Sequence, residues 1–319
     1  MRSSLPLFPE VASTIAGRID ALYYFLVIVS GFFVSLIFLL IFYFAIRFRR
    51  RSEDERPPQV LSNIALEVTW IVIPFILVMI MFVWGASLYF TVTHPPAGAL
   101  EVFVIGKQWM WKFQHPEGRR EINELHVPAG YPVKLTLTSQ DVIHSFYVPA
   151  FRIKMDAVPG QYHVTWFQAT KPGRFHLFCA EYCGTSHAGM GGWVEVMKPS
   201  DYEQWLRTGA AEEPLVAAGE RLFQELGCSG CHGPNSAVHA PPLDGIYGMP
   251  VPLQSGHVVI ADEGYIRDSI LLPQKDVVAG YVPVMPSFQG RISEEELMQI
   301  IAYIRSLGVR TSEPRKASR

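Results

Sequence analysis

The 319-residue chain contains four cysteines, and all of them fall in two short motifs whose residue types bind metals. One motif is the run Cys228-Ser229-Gly230-Cys231-His232. Two cysteines separated by two residues can each bond to a haem vinyl group, and the histidine that follows can bind the iron from one face. The motif therefore predicts a covalent haem c on Cys228 and Cys231, with His232 as an axial ligand. No cysteine remains for a disulfide or for a separate nucleophile.

The second axial ligand must come from a residue downstream of the motif. Met285 is the favoured candidate because a thioether on a loop bounded by Pro286 can be held against the iron. Met249 is the rival methionine. His239 and His257 could also serve as ligands, although we expect each on a solvated loop.

Two helices are predicted to flank these haem residues. The first precedes the motif and contains Ala217, Gly219 and Phe223. The second begins at Ser293, which forms a capping-box pattern with Glu296. Apolar residues then follow at helical spacing, at Leu297, Ile300, Ile301 and Ile304. This arrangement predicts a small all-α cytochrome c domain.

The other motif predicts a copper-binding loop. Cys179 and Cys183 are four residues apart, His187 lies four residues further, and Met190 three beyond that. Soft thiolates combined with imidazole and a thioether select copper over hard cations. A mononuclear blue-copper site uses one cysteine, so the second cysteine predicts two bridging thiolates and a pair of copper ions, with His144 as the second imidazole. The alternative is a zinc site, which would use a closed tetrahedral set without methionine.

Two apolar runs precede both motifs and predict membrane-spanning helices. Residues 21–46 and 68–93 are uncharged, and at about 1.5 Å per residue each is long enough to cross a bilayer core of about 30 Å. Residues 1–20 lack a separate apolar region and a lipoprotein cysteine, so we expect anchoring by the two helices without a cleaved signal peptide. By the positive-inside rule, the loop between the helices is cytoplasmic because it carries Arg47, Arg49, Arg50, Arg51 and Arg56.

Between residues 100 and 197, short runs rich in β-branched and aromatic residues alternate with turn residues. The runs 101–105, 132–138 and 162–167 are examples, and they predict a Greek-key barrel or sandwich of the cupredoxin kind.

The predicted organisation of the membrane-anchored chain is an outward-facing segment 1–20, transmembrane helices 21–46 and 67–93 joined by a cytoplasmic loop 47–66, a copper domain 100–197, a linker 198–214, a cytochrome c domain 215–308 and a polar, disordered tail 309–319. A formal net charge of −2 gives no indication of nucleic-acid binding.

The copper loop reads Cys-x-Glu-x-Cys-x3-His-x2-Met, with Asp-Val-Ile-His-Ser upstream. It resembles the CuA motif in subunit II of haem-copper cytochrome c oxidases, and the fused haem motif resembles the caa3 form. The resemblance implies a transmembrane hairpin, an all-β cupredoxin-like domain and an all-α class I cytochrome c domain. It also implies that the carboxylate of Glu181 reaches a magnesium or manganese ion shared with subunit I. The CuA ligands it implies are His144, Cys179, the backbone carbonyl of Glu181, Cys183, His187 and Met190.

The same resemblance implies a function and two further site residues. Electrons would be accepted on haem c, pass to CuA and reach the haem a, haem a3 and CuB centres of subunit I, where oxygen is reduced to water with proton translocation. Trp109 resembles the surface tryptophan at which electrons from cytochrome c arrive, although Met110 replaces an aromatic residue found in many members. Glu67 matches a glutamate at the mouth of a proton path. Packing for Trp109 and stabilisation of the helix dipole for Glu67 remain the alternatives.

The implied partners are subunit I, subunit III, membrane lipid and a donor that is either a cytochrome c or an upstream respiratory complex. The implied location is a bacterial inner membrane, with both metal domains on the outer or periplasmic face. A subunit of a CuA-containing nitric oxide reductase and a free-standing membrane-anchored electron shuttle remain alternatives. A quinol oxidase subunit is excluded by Cys179 and Cys183. The ten histidines are too few for the second copper cluster of a nitrous oxide reductase.

Overall fold

A computed structural model describes residues 9–56, 62–208, 213–233, 236 and 238–308. The predicted polar tail, 309–319, lies outside these residues, as does part of the predicted N-terminal segment. The helices are α1 (Ala16–Arg47), α2 (Ile64–Thr93), α3 (Pro199–Thr208), α4 (Leu215–Glu225), α5 (Ser229–His232), α6 (Glu263–Leu271) and α7 (Glu294–Leu307). The strands are β1 (Leu100–Lys107), β2 (Met110–Gln114), β3 (Arg120–Ile122), β4 (Glu124–Pro128), β5 (Pro132–Ser139), β6 (His144–Val148), β7 (Ile153–Ala157), β8 (His163–Gln168), β9 (Gly173–Cys179), β10 (Gly191–Met197), β11 (Pro250–Pro252) and β12 (Val258–Ile260).

Helices α1 and α2 contain the two predicted apolar runs, and both are long and apolar enough to cross a membrane. The start of α2 is capped by Asn63, whose side-chain oxygen accepts a hydrogen bond from the backbone N–H of Leu66 at 3.2 Å. Glu67 lies in the first turn of this helix. At about 1.5 Å per residue, Glu67 is therefore close to the end of α2 that is distant from the metal domains.

Residues 100–197 form two five-stranded sheets that face each other. One sheet has the strand order β3-β2-β1-β5-β8 and the other has the order β4-β10-β9-β6-β7. Strand β1 is parallel to β5, and β4 is parallel to β10, while the other neighbours are antiparallel. Alternating side chains fill the space between the sheets, which confirms the cupredoxin-like fold. The largest fully buried ones include Trp111, Phe113, Phe146, Phe151 and Phe167.

The segment before α1 packs on this β-sandwich. Ala12 is fully buried in the sandwich core, and its backbone N–H donates a hydrogen bond to the carbonyl of Ala150 at 3.0 Å. Ser13 forms an isolated antiparallel bridge with Ala169. The N-terminal segment therefore covers part of the core of a domain that begins far downstream in the sequence.

Side chains also connect the membrane helices to the sandwich. Arg152 binds the carboxylate of Asp20 on α1 through Nε at 2.8 Å and Nη2 at 2.9 Å. The indole Nε1–H of Trp166 donates to the carbonyl of Thr91 near the end of α2 at 2.8 Å. Both ends of the hairpin thus contact the same domain, so they lie on the same side of the membrane.

The predicted linker contains a helix, α3, that sequence analysis did not identify. Trp205 on α3 stacks on the imidazole of His126 with ring centroids 4.6 Å apart, and Tyr202 packs beside His115. The carboxylate of Glu121 joins the two imidazoles, at 2.8 Å from His115 Nε2 and 2.5 Å from His126 Nδ1. These contacts with the sandwich hold the helix in place. The sequence pattern does not reveal them, because the segment has only two aromatic residues in a polar run.

The cytochrome domain is built around the crossing of α4 and α7. The capping box predicted at the start of α7 is confirmed, since Ser293 Oγ accepts a hydrogen bond from Glu296 N and Glu296 Oε2 accepts one from Ser293 N. Gly219 lies at the crossing, where a Cβ would stand 2.0 Å from the carbonyl oxygen of Gln299. Glycine is required there because the two backbones approach so closely.

Candidate metal centres

The residues predicted to bind copper lie together at one end of the sandwich. Strand β6 begins at His144 and β9 ends at Cys179, and the pairing of these strands brings the two residues into contact. The distance from Cys179 Sγ to His144 Nδ1 is 4.0 Å, and the distance from Cys179 Sγ to Cys183 Sγ is 3.8 Å. All three side chains are buried, and their donor atoms lie within 4.8 Å of one another.

The remaining predicted ligands surround the same two sulfur atoms. His187 Nδ1 lies 3.5 Å from Cys183 Sγ, and Met190 Sδ lies 3.7 Å from it. The backbone carbonyl of Glu181 lies 3.2 Å from Cys179 Sγ, while the Glu181 side chain is exposed. Two thiolates, two imidazoles, a thioether and a carbonyl form more donors than a closed tetrahedral zinc site uses. Their softness fits a pair of copper ions.

The pKa values of the two thiols are shifted in opposite directions. Burial opposes ionisation of Cys179, but hydrogen bonds from His144 and from the backbone outweigh it and lower the pKa of Cys179 to about 6. Burial and the neighbouring Cys179 raise the pKa of Cys183 to about 12. The metal-free pair therefore holds a single thiolate near neutral pH. Because cysteine binds metal as the thiolate, occupancy of this site by copper would release a proton from Cys183.

Two residues that sequence analysis did not assign to the site hold His144 in place. Asp141 Oδ1 lies 2.8 Å from His144 Nε2, which leaves Nδ1 directed at Cys179. Burial lowers the pKa of His144, but the hydrogen bonds with Cys179 and Asp141 outweigh this effect and raise it. Gly106 lies against the ring, because a Cβ there would stand 2.7 Å from His144 Cδ2.

Trp109 contacts the copper loop directly. Its indole Nε1–H donates to the carbonyl of Cys183 at 3.2 Å, and the Gln108 side-chain amide donates to the same oxygen at 2.8 Å. Trp109 is half-buried and packs against the sandwich core. Its position is compatible both with packing and with a role in electron transfer.

The haem motif lines an apolar cavity in the cytochrome domain. The cavity has an empty volume of about 1310 Å³, including space open to solvent, and its walls include Cys228, Cys231, His232 and Met285. His232 Nδ1 lies 2.9 Å from the carbonyl oxygen of Pro241. Donation of Nδ1–H to this carbonyl fixes the tautomer and leaves Nε2 as the free donor atom for iron. The residues present fit a covalently bound haem.

The candidate axial ligands differ in position. Met285 lines the haem cavity and packs against the core of the cytochrome domain. Met249 is 56% exposed and does not belong to the cavity wall. His239 lines the cavity but stacks on Tyr281, with ring centroids 4.7 Å apart. His257 is exposed.

Comparison with known families finds three matches along the chain. The family described as cytochrome c oxidase subunit II, transmembrane domain, matches residues 3–88, and its periplasmic domain matches residues 119–197. The cytochrome c family matches residues 216–308. Cytochrome c oxidase subunit 2 of Alkalihalophilus pseudofirmus is 35% identical over 300 residues, covering 89% of this chain and 85% of that protein. The chain belongs to the cytochrome c oxidase subunit 2 family.

Other members of the family match less of the chain. Cytochrome c oxidase subunit 2 of a Synechocystis strain is 30% identical over 253 residues, which cover 64% of this subunit 2 and 76% of that protein. A crystal structure of the periplasmic domain of subunit II of cytochrome oxidase from Bradyrhizobium japonicum is 32% identical. The match covers 36% of this chain and 96% of the chain in that crystal structure, with a TM-score of 0.35.

Membership in the family has direct consequences for this subunit 2. It is part of the cytochrome c oxidase enzyme, it partners subunit I, and its two N-terminal helices anchor it in a membrane. The subunit II domain implies CuA, and the cytochrome c domain implies haem c. The residues predicted to hold them gather in the two sites described above.

Proposed function

We propose that this subunit carries the electron input of a caa3-type oxidase. Electrons would enter one at a time at the haem c held by Cys228 and Cys231, pass to the CuA pair held by the copper loop, and reach the subunit I centres, where oxygen would be reduced to water with proton translocation. The presence of a haem cavity and a two-thiolate copper site on one chain supports this proposal. When bound, both cofactors supply one-electron redox chemistry.

The protein's own contribution is to keep each ligand set fixed while charge changes. His232 is held by Pro241, and His144 is held by Asp141. Such partners orient a metal ligand and raise its basicity. Ligands that move little between oxidation states favour fast electron transfer because little reorganisation is needed. We assign Met285 as the second axial ligand of haem c, since it lines the cavity.

Three further roles form part of the proposal. The exposed carboxylate of Glu181 binds magnesium or manganese at the boundary with subunit I. Trp109 accepts electrons from a donor that binds at the surface. Glu67 collects protons at the cytoplasmic end of α2. The remaining partners are subunit III and a donor that is a cytochrome c or an upstream respiratory complex, in a bacterial inner membrane with the metal domains on its outer face.

Metal analysis of the full chain in detergent tests the central proposal. We expect two coppers and one covalent haem per chain, with haem that survives acid-acetone extraction. His187→Ala should abolish the mixed-valence copper signal and leave the haem spectrum intact. One copper per chain, or zinc in its place, would contradict the binuclear site. Identification of the haems in the co-purified partner separates an oxygen-reducing oxidase from a nitric oxide reductase.

The assembled oxidase tests the role of Glu67. Glu67→Ala should slow turnover and the reduction of the oxygen-binding haem, because protons reach the partner subunit more slowly. Rapid reduction of haem c and CuA should be unchanged, since both metal domains lie at the opposite membrane face. Unchanged turnover in a fully assembled variant would leave Glu67 with only its effect on the helix dipole.

A further inference from the structure

Strand β1 of the sandwich is apolar on both of its faces. Val104 lies in the sandwich core, whereas its neighbours Phe103 and Ile105 form a separate buried cluster with Leu215 and Met298 of the cytochrome domain. Each of these last four side chains is at most 3% exposed. Successive side chains of a strand point to opposite faces of a sheet, so the cytochrome domain covers the face of β1 that points away from the sandwich core.

Ion pairs lie at both ends of this apolar cluster. Glu295, near the start of α7, binds Lys112 Nζ on β2 at 2.6 Å, and Arg305, near the end of α7, binds Glu101 on β1 at 2.5 Å. Lys112 is opposite Ile105 in the register of β1 and β2, which puts the two contacts four residues apart along β1. At about 3.3 Å per residue, this separation is about 13 Å.

The charges on α7 have nearly the same spacing. Glu295 and Arg305 are ten residues apart on the helix, and at about 1.5 Å per residue they are separated by about 15 Å. The difference of about 2 Å is well within the reach of lysine and arginine side chains. Both pairs can therefore form at once only when α7 lies along β1, as it does in the structure.

The signs of these charges select one direction of the helix along the strand. The sheet presents the cation Lys112 at one end and the anion Glu101 at the other, and α7 carries its anion near the start and its cation near the end. A helix turned end for end would place Arg305 against Lys112 and Glu295 against Glu101. Juxtaposed like charges cost free energy, so the pattern rejects this arrangement.

Helix α6 contacts the same surface of the sandwich. Glu263 at its start lies 3.5 Å from Nζ of Lys134 on β5. Arg267 Nη1 donates a hydrogen bond to the backbone carbonyl of Gly160 at 3.1 Å, and its guanidinium lies 5.9 Å from the ring centroid of Tyr162. Two helices of the cytochrome domain therefore contact the sandwich, in addition to the covalent connection through the linker. We call the surface that they cover the outer face of the first sheet, and it includes Glu101, Phe103, Ile105, Lys112 and Lys134.

We propose that the outer face of the first sheet is a specific docking surface for the cytochrome domain. Its contacts hold the domain without help from the linker, and the Lys112–Glu295 and Glu101–Arg305 pairs select the orientation. The fused domain is then a fixed part of the subunit and not a tethered carrier that moves between partners. The inference goes beyond the proposed function and does not depend on occupancy of the copper site.

A zero-length carbodiimide cross-link tests the orientation in the full chain. The Lys112–Glu295 pair should form an amide that peptide mass spectrometry detects, and Glu295→Gln should eliminate it. The Lys275–Asp268 pair lies within the cytochrome domain at 2.5 Å and is the matched control, because the side chain of Asp268 is 19% exposed and that of Glu295 is 21% exposed. Reaction of the control pair without a Lys112–Glu295 product would overturn the docked orientation.

A protease site inserted between Thr208 and Glu213 tests whether the interface alone holds the domain. The haem-loaded full chain, in detergent and with a C-terminal affinity tag, is cut completely and then captured through the tag. Most of the membrane-anchored fragment should remain with the tagged cytochrome domain. Release of this fragment from the wild-type chain would overturn the proposal that the contacts hold the domain without the linker.

Charge reversal in the cut chain tests the role of the ion pairs. Lys112→Glu places a carboxylate beside Glu295, and Glu295→Lys places an ammonium beside Lys112, so each should lower the retained fraction severalfold. The double variant restores an opposite pair and should recover most of the retention. Glu225→Lys is the matched control, because Glu225 forms its exposed ion pair with Arg221 inside the cytochrome domain. Haem content and the unfolding midpoint of each uncut variant show that the domain is folded before cleavage.

The outcomes separate the docking surface from the proposed function. Wild-type retention in both single variants, or a double variant that releases as much as they do, would overturn the selection by charge. A chain that binds no copper pair but retains its cytochrome domain after cleavage would refute the proposed function and support the docking surface.

Discussion

Replacement of Gly219 by alanine tests the helix crossing that builds the haem cavity. The added Cβ would lie 2.0 Å from the Gln299 carbonyl oxygen and 2.8 Å from Tyr303 Cβ. Close C···O contacts normally measure about 3.3 Å, so α4 and α7 would have to separate by about 1.3 Å. The obstacle is backbone, which cannot rotate away as the end of a side chain can.

The cost can be placed on an energy scale. Overpacking typically costs about 1–3 kcal/mol, and the upper value applies here because a backbone must shift. Alanine regains about 1 kcal/mol of helix propensity, which leaves a net loss of about 2 kcal/mol. For a domain of this size, that loss lowers the unfolding midpoint by about 8–16 °C.

Calorimetry of the haem-loaded full chain measures this effect, with haem content as a second measurement. The matched control is Gly264→Ala on α6, where the added Cβ would make only an ordinary contact at 3.4 Å. The control should be neutral or slightly stabilised. A variant Gly219→Ala with wild-type haem content and midpoint would refute the argument that the crossing requires glycine.

Three other expectations concern the copper site, the haem ligand and the domain interface. Gly106→Ala should displace the imidazole of His144 and lower copper content without changing the haem spectrum; full copper loading would contradict the close approach. Met285→Ala should abolish the weak sulfur-to-iron band and lower the haem potential, because the thioether favours reduced iron, whereas Met249→Ala should have little effect. Exchange of these two results would reverse the ligand assignment. Burial raises the pKa of Glu101, but its arginine and lysine partners outweigh burial and lower it. Its stabilising contribution is therefore complete above the unfolded pKa of about 4.3 and is lost as pH falls through the lower folded value, so the unfolding midpoint should decrease in that acidic range; a midpoint independent of pH there would contradict the assignment.

Features encoded over a few neighbouring residues could be predicted from the sequence. The capping box at Ser293 is one example, since its partners are three residues apart. The family, the fold class and the apolar helices were also predictable because they depend on local motifs and composition. The spacing from Cys179 to Met190 predicted which residues gather around the two sulfurs, although their assignment as ligands stays a prediction.

Features that depend on pairs distant in sequence were not predicted. Gly106 supports His144 from another strand, and Glu295 reaches Gln140 across more than a hundred residues. Helix α3 was missed for the same reason, since it is fixed by imidazoles on the sandwich. No local pattern specifies such contacts, because each partner alone is an ordinary strand or helix residue.

The bridge between Ser13 and Ala169 has a consequence for biogenesis. The copper domain completes its core with residues that are synthesised before the first membrane helix. A chain whose N-terminus stays on the wrong side of the membrane would leave Ala169 and the carbonyl of Ala150 without these partners. Correct insertion of the hairpin is therefore needed for the copper domain to complete its fold. Wrongly inserted chains carry an exposed core edge that proteases or chaperones can recognise.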